Sequence, residues 1–253
     1  AACRPAWRPS GRVRACVTPS GSMVQLTHVD EPSRVGESLA LIGLGGALPT
    51  LVVVGGATGL EDRNGLLRPL AERALIGAAE AVRAYVVDGG TDAGVMKLVG
   101  RARSESGAGF PLIGVVAEGT AKGLSPPSPG ADQAELELHH THFIVVPGSK
   151  WGDETPWISL VASTLSAGRP SATVLIGGGD ISWTDVSESV AAERPVLVID
   201  GSGGAADELA RALRGEGRNR HARIFAGSYV EAISIREDPA RIRSRLVRML
   251  SEG

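Results

Sequence analysis

Apolar residues in this chain come in short unbroken runs, and nearly every run ends in glycine. The runs are LVVVGG from Leu51, AYVVDGG from Ala84, PLIGVVAEG from Pro111, HFIVVPG from His142, ATVLIGGGD from Ala172 and PVLVIDGSGG from Pro195. They are rich in Val, Ile and Leu and do not alternate with polar residues, as in parallel strands covered on both faces. Between them the pattern changes to that of helices. Helices are predicted near 66–83, 93–106, 184–192 and 205–213, with another opening at Asp153-Glu154-Thr155-Pro156. Residues 32–45 read as a short helix closed by glycine, residues 222–227 (ARIFAG) as a further edge strand, and DPARIRSRLVRMLSEG as an Arg-rich amphipathic helix. Only PLIGVVAEG runs into a Pro/Gly/Ser loop instead, at 124–133. Strands alternating with helices predict an α/β fold: a Rossmann-like, mostly parallel sheet with helices on both faces.

Composition narrows the function. Net charge is −2 and aromatic residues are 4% of the 253. That leaves no global field to draw nucleic acid or an anionic membrane, and few rings for stacking bases. No apolar stretch approaches the roughly 20 residues of a membrane span. Residues 1–30 read as an irregular N-terminal tail without an apolar signal core, and 31–253 as one domain. Both cysteines, Cys3 and Cys16, lie in the tail, where they could form one bridge. Their absence from the body fits a reducing compartment, so the chain is placed in the cytoplasm.

The 34 glycines carry the candidate chemistry. Three turns follow strands: Gly55-Gly56-Ala57-Thr58-Gly59, Asp88-Gly89-Gly90-Thr91-Asp92-Ala93-Gly94 and Asp200-Gly201-Ser202-Gly203-Gly204. Gly178 and Glu118 end two further runs at the same predicted edge. Glycine serves a tight βα turn by supplying positive φ, and it also lets a phosphate reach the backbone N–H groups of a helix start. Both readings stay open for any one turn; three turns on one edge favour a ligand. Thr91 and Ser202 add hydroxyls, while Asp88 and Asp200 either accept from ribose or cap their own turns.

Other motifs fail in context. GSGGAAD matches G-x-G-x-x-A between strand and helix, but the acid expected about 20 residues on is missing from IFAGS. GTAKGLS lacks the Ser or Thr of a P-loop. HHTH could set His140 and His142 on one strand face, yet no cysteine or H-E-x-x-H accompanies them. No metal ligand and no catalytic residue is assigned. Trp151, Trp157 and Trp183 serve either for stacking or for packing.

VVVGGATGL, VVDGGTDAGVMKLVGRA, PLIGVVAEG, HHTHFIVV, WGDETPW and PVLVIDGSGGAADELA occur in that order. Together they resemble the prokaryotic LSDAT family of the SLOG superfamily, the Rossmann-like domain also found at the cytosolic N-terminus of melastatin-type TRP channels. The resemblance covers about 39–213. It implies a cytosolic sensor of a nucleotide-derived ligand, ADP-ribose-like compounds being the class suggested, with no further cofactor. It implies a pocket from Gly55, Gly56, Gly89, Gly90, Thr91 and Gly94, with Gly201 to Gly204 as another wall. Family members often carry Arg after GSG, where this chain has Gly204. The superfamily also contains the Lonely Guy phosphoribohydrolases, with signature P-G-G-x-G-T-x-x-E. Against it this chain has Asp88 for Pro, Asp92 for Gly, Ala93 for Thr and Met96 for the catalytic Glu. Methionine cannot act as acid or base, so the expectation is a binding module, possible as a homo-oligomer. The alternatives are a nucleosidase using another carboxylate, such as Asp92, Glu118 or Asp180, and an oligomerisation subunit with a vestigial pocket.

Overall fold

The computed structural model describes residues 13–17, 23–56, 65–124, 132–216, 219–225 and 229–252. Among these the apolar runs form a nine-stranded sheet. Its strands are β1 (Val13–Val17), β2 (Met23–His28), β3 (Thr50–Gly55), β4 (Tyr85–Asp88), β5 (Leu112–Ala117), β6 (His142–Val146), β7 (Ser171–Ile176), β8 (Val196–Asp200) and β9 (Val230–Ser234). Their order is β1-β2-β6-β5-β4-β3-β7-β8-β9, with β2 to β9 parallel and β1 antiparallel to β2. The chain steps outward from β3 through β4 and β5 to β6. It then returns to the other side of β3 and steps outward again through β7, β8 and β9. Open α/β sheets bind ligands at the carboxyl ends of the strands where this reversal occurs.

The helices are α1 (Val35–Leu41), α2 (Leu67–Pro69) continued by a π-helical stretch (Leu70–Ile76) into α3 (Gly77–Val82), α4 (Gly94–Ser106), α5 (Thr155–Ser166), α6 (Asp180–Ala191), α7 (Gly204–Leu213), α8 (Arg220–Phe225) and α9 (Pro239–Met249). Side chains of β3 divide between two cores, as the pleat requires. Leu51 and Val53 face the layer holding α3, α4 and α9; Val52 and Val54 face α1, α5, α6 and α7. The expected Rossmann-like arrangement is therefore present.

Two expectations fail. Within the segment read as an irregular tail, Met23–His28 is a strand, paired in parallel with β6 from Gln25↔His142 to His28↔Val145. Val24 and Leu26 are buried against Phe143 and Val145. MVQLTH buries its side chains intermittently, so it lacks the unbroken apolar run of the central strands. Cys16 lies on β1, whereas Cys3 is outside the described residues. The second failure is the edge strand, which is Val230–Ser234; most of ARIFAG instead ends α8. Ala222 is the buried residue of that short helix, and Asn219 Oδ1 accepts from the N–H groups of His221 (2.8 Å) and Ala222 (3.3 Å) at its start.

Candidate functional site

The topology gathers the candidate residues along one edge. β5, β4, β3, β7 and β8 are consecutive in the sheet, and Glu118, Asp88–Gly94, Gly55–Gly56, Gly178 and Asp200–Gly204 follow or end these strands in the same order. Ala57 and Gly59 lie outside the described residues. Hydrogen bonding distinguishes the glycine turns by how much of their N–H capacity the fold uses internally.

The turn after β8 is satisfied from within at every N–H from Gly201 to Asp207 except that of Gly204. Asp207 Oδ1, one turn into α7, accepts from Gly201 N (2.7 Å) and Gly203 N (3.0 Å), where an anion would otherwise sit. Ala205 N and Ala206 N donate to the carbonyls of Gly178 (3.0 Å) and Gly177 (2.9 Å). The Ser202 hydroxyl accepts from Gly177 N at 2.8 Å and donates to the Ile199 carbonyl at 2.5 Å. Asp200 Oδ2 lies 2.7 Å from Arg214 Nη1. A Cβ on Gly204 would stand 2.0 Å from the Gly178 carbonyl oxygen, so no arginine fits at that position. The polar groups of Asp200, Gly201, Ser202 and Gly203 hold α7 to β7 and β8.

Gly55 and Gly178 are likewise glycines of close packing. A Cβ on Gly55 would meet the Ile176 carbonyl oxygen at 1.9 Å, and one on Gly178 would meet Ser182 Oγ at 2.4 Å. Gly56 donates to the Ile176 carbonyl (3.1 Å) and accepts from Val95 N (3.1 Å), tying β7 to α4.

The turn between β4 and α4 differs. Ala93 is the N-cap of α4 and offers no side-chain acceptor, a disfavoured choice there. Among the described residues the N–H groups of Gly89, Thr91, Gly94 and Met96 have no acceptor. The Asp92 carboxylate turns away to Lys97 Nζ, at 3.0 Å. A helix start with free N–H groups is an anion site by its dipole and its donors. Gly89, Asp92 and Gly94 are partly or fully open to solvent, whereas Gly90 and Thr91 are buried. Gly90 adopts φ +65°, and a Cβ there would stand 2.8 Å from Gly114 Cα. Gly89 has neither restriction; the nearest atom to an added Cβ is Met96 Sδ at 3.8 Å.

A strap pins this turn. Asp92 N donates to the Glu135 carbonyl (2.8 Å), Glu137 N donates to the Gly90 carbonyl (2.9 Å), and Thr91 bridges Leu136. Beneath lies a buried ion cluster. Asp88 Oδ1 accepts from Gly90 N at 2.7 Å and from His140 Nε2 at 2.8 Å; His140 Nδ1 lies 2.9 Å from Glu137 Oε2. His139 Nδ1 also contacts Glu137 Oε1. Burial would push the His140 imidazole down, but the charges and bonds of Asp88 and Glu137 outweigh it and raise it to about 9. Burial likewise pushes the Glu137 carboxyl up, and His140 and His139 overcome this to hold it below its ordinary range. Asp88, read as either accepting from a ribose or capping its own turn, is fully buried and caps the turn through Gly90 N.

In the sequence, His140 stood out only for a metal role that its context did not support, and Glu137 and Asp207 not at all. His142 stands apart from His140: its Nδ1 lies 2.7 Å from Thr141 Oγ1, and burial, offset in part by a bond to the Ile42 backbone, lowers it to about 4. A family model described as "SLOG in TRPM, prokaryote" matches residues 48–243. The transient receptor potential cation channel subfamily M member-like 2 of Nematostella vectensis is 31% identical over 200 residues. That match covers 63% of this chain and 13% of the channel, so the chain spans a small part of its relative.

Proposed function

Because the chain belongs to the prokaryotic family of SLOG domains related to those of TRPM channels, we propose that it binds a nucleotide-derived anion of the ADP-ribose class. The phosphate lies at the start of α4. The observation carrying this reading is the uncapped helix start, with Gly89, Thr91, Gly94 and Met96 N–H groups without acceptors among the described residues, beside the reversal point of the sheet. Gly89, Asp92 and Gly94 form the open lip of the site. Binding rather than hydrolysis is the reading because Met96, at the hydrolase carboxylate's position, is buried in the core with Val95 and Val99. Such a module works as a cytoplasmic sensor, and among the described residues no helix is long and apolar enough to cross a membrane.

The test is a thermal-shift screen of mononucleotides, dinucleotides and ADP-ribose, followed by calorimetry. Ligand at about 100 times its Kd adds roughly 2.7 kcal/mol to stability, a melting shift of about 5–10 °C for a domain of this size. A screen without a shift and a flat calorimetric trace would sink the proposal.

A further inference from the structure

His140 presents both ring nitrogens to carboxylate oxygens, Asp88 Oδ1 at 2.8 Å and Glu137 Oε2 at 2.9 Å. Ionised carboxylates only accept, so both nitrogens donate and the ring is an imidazolium. This cation stands between two anions with its side chain wholly buried. Among the described residues Asp88 Oδ2 is buried with no hydrogen-bond partner, and the Asp88 charge is offset within contact by His140 and by the Gly90 N–H. Gly90 lies between Gly89 and Thr91, which places the carboxylate directly behind the N–H groups open to an anion.

We propose that His140 is the positioning residue of the anion site: as an imidazolium it neutralises Asp88 behind the turn and holds the turn in its donor-outward shape. This rests on the phosphate reading of the turn. With His140 neutral, an incoming phosphate meets an uncompensated buried carboxylate at close range, where repulsion is weakly screened. The groups facing His140 from each side agree. β4 supplies Asp88, the strap supplies Glu137 with His139 on its far oxygen, and β6 supplies the Phe143 ring, 5.4 Å away and stacked. From α4, Gly100 packs on Glu137 so closely that a Cβ would stand 2.0 Å from Oε2, and Arg103 acts on Glu137 through its charge. The Lys97–Asp92 pair lies at the mouth of the turn. Since the folded ring keeps its proton to about 9, anion affinity holds through neutral pH and falls as pH rises through that value.

The experiment titrates ADP-ribose by calorimetry from about pH 6 to about pH 10 into wild type, His140→Gln, Asp88→Asn and the double variant. Wild-type affinity is expected flat to about pH 8, then weakening. His140→Gln is expected to bind about tenfold or more weaker at neutral pH. The double variant, with neither the Asp88 carboxylate nor the imidazolium behind Gly90 and Glu137 still paired with His139, returns to within about threefold of wild type. If His140→Gln does not fold, Asp88→Asn alone carries the test by losing the alkaline decline. A double variant as weak as His140→Gln, or equal affinity for wild type and His140→Gln at every pH, overturns the proposal. So does a neutral His140 seen by ¹⁵N NMR of wild type at neutral pH, whatever binds. Wild type that binds neither ADP-ribose nor pyrophosphate overturns the phosphate reading and this proposal together.

Discussion

Gly89 and Gly90 are neighbours in one turn and are glycine for different reasons. Gly90 combines φ +65° with crowding: an added Cβ would stand 2.8 Å from Gly114 Cα and 3.0 Å from Phe143 and Val116. A side chain there is strained and crowded, so Gly90→Ala is expected to cost about 1–3 kcal/mol in urea unfolding. An alanine at Gly89 meets only ordinary van der Waals contacts, and its stability should stay within about 0.5 kcal/mol of wild type. On the phosphate reading of the turn, the loss is expected in affinity instead. Equal unfolding costs for the two variants, with unchanged ligand binding in Gly89→Ala, would make the whole turn a matter of geometry. The letters DGGT cannot separate these roles, because the crowding at Gly90 comes from β5 and β6, far away in sequence. The partnership of Asp88 with His140 is hidden for the same reason: 52 residues separate them.

Two helices start on the same edge, with β3 and β7 between the strands that lead into them, and treat their first N–H groups differently. α7 carries its own acceptor, Asp207, which serves Gly201 and Gly203. α4 begins at Ala93 and carries none. Asp207→Ala should destabilise the chain by about 1–2 kcal/mol, measured by denaturant midpoint, and leave affinity for ADP-ribose near wild type. A large loss of affinity with little loss of stability would reinstate the β8 turn as part of the site. The helices themselves were legible from their 3.6-residue period and their proline and glycine boundaries, and the central strands from their Val/Ile/Leu runs. Which turn was open was not, since GSGGAAD and DGGTDAG look alike until Asp207 is seen to fold back. The weakly patterned edge elements were the other loss: VEAIS, with intermediate and exposed positions, reads poorly as a strand, and ARIFAG reads too well.

Across the whole molecule, β2 joins the first thirty residues to the middle of the chain. Val24 and Leu26 bury against β6 neighbours, each worth roughly 1.5–3 kcal/mol of apolar transfer, and Gln25 N donates to the Thr141 carbonyl at 3.0 Å. Removing residues 1–30 should therefore lower the melting temperature by several degrees and expose the β6 edge to association between chains. A truncated chain that melts with the full one and stays monodisperse in light scattering would show that β2 contributes little.

The same pairing sets an order on the ribosome. Val24 and Leu26 are made early, but the strand that covers them begins only at His142. At roughly 5–20 residues per second, these side chains wait on the order of ten seconds for a partner. Until then the segment carrying them has no β6 to pair with, and the sheet closes on that side only after β6 has emerged.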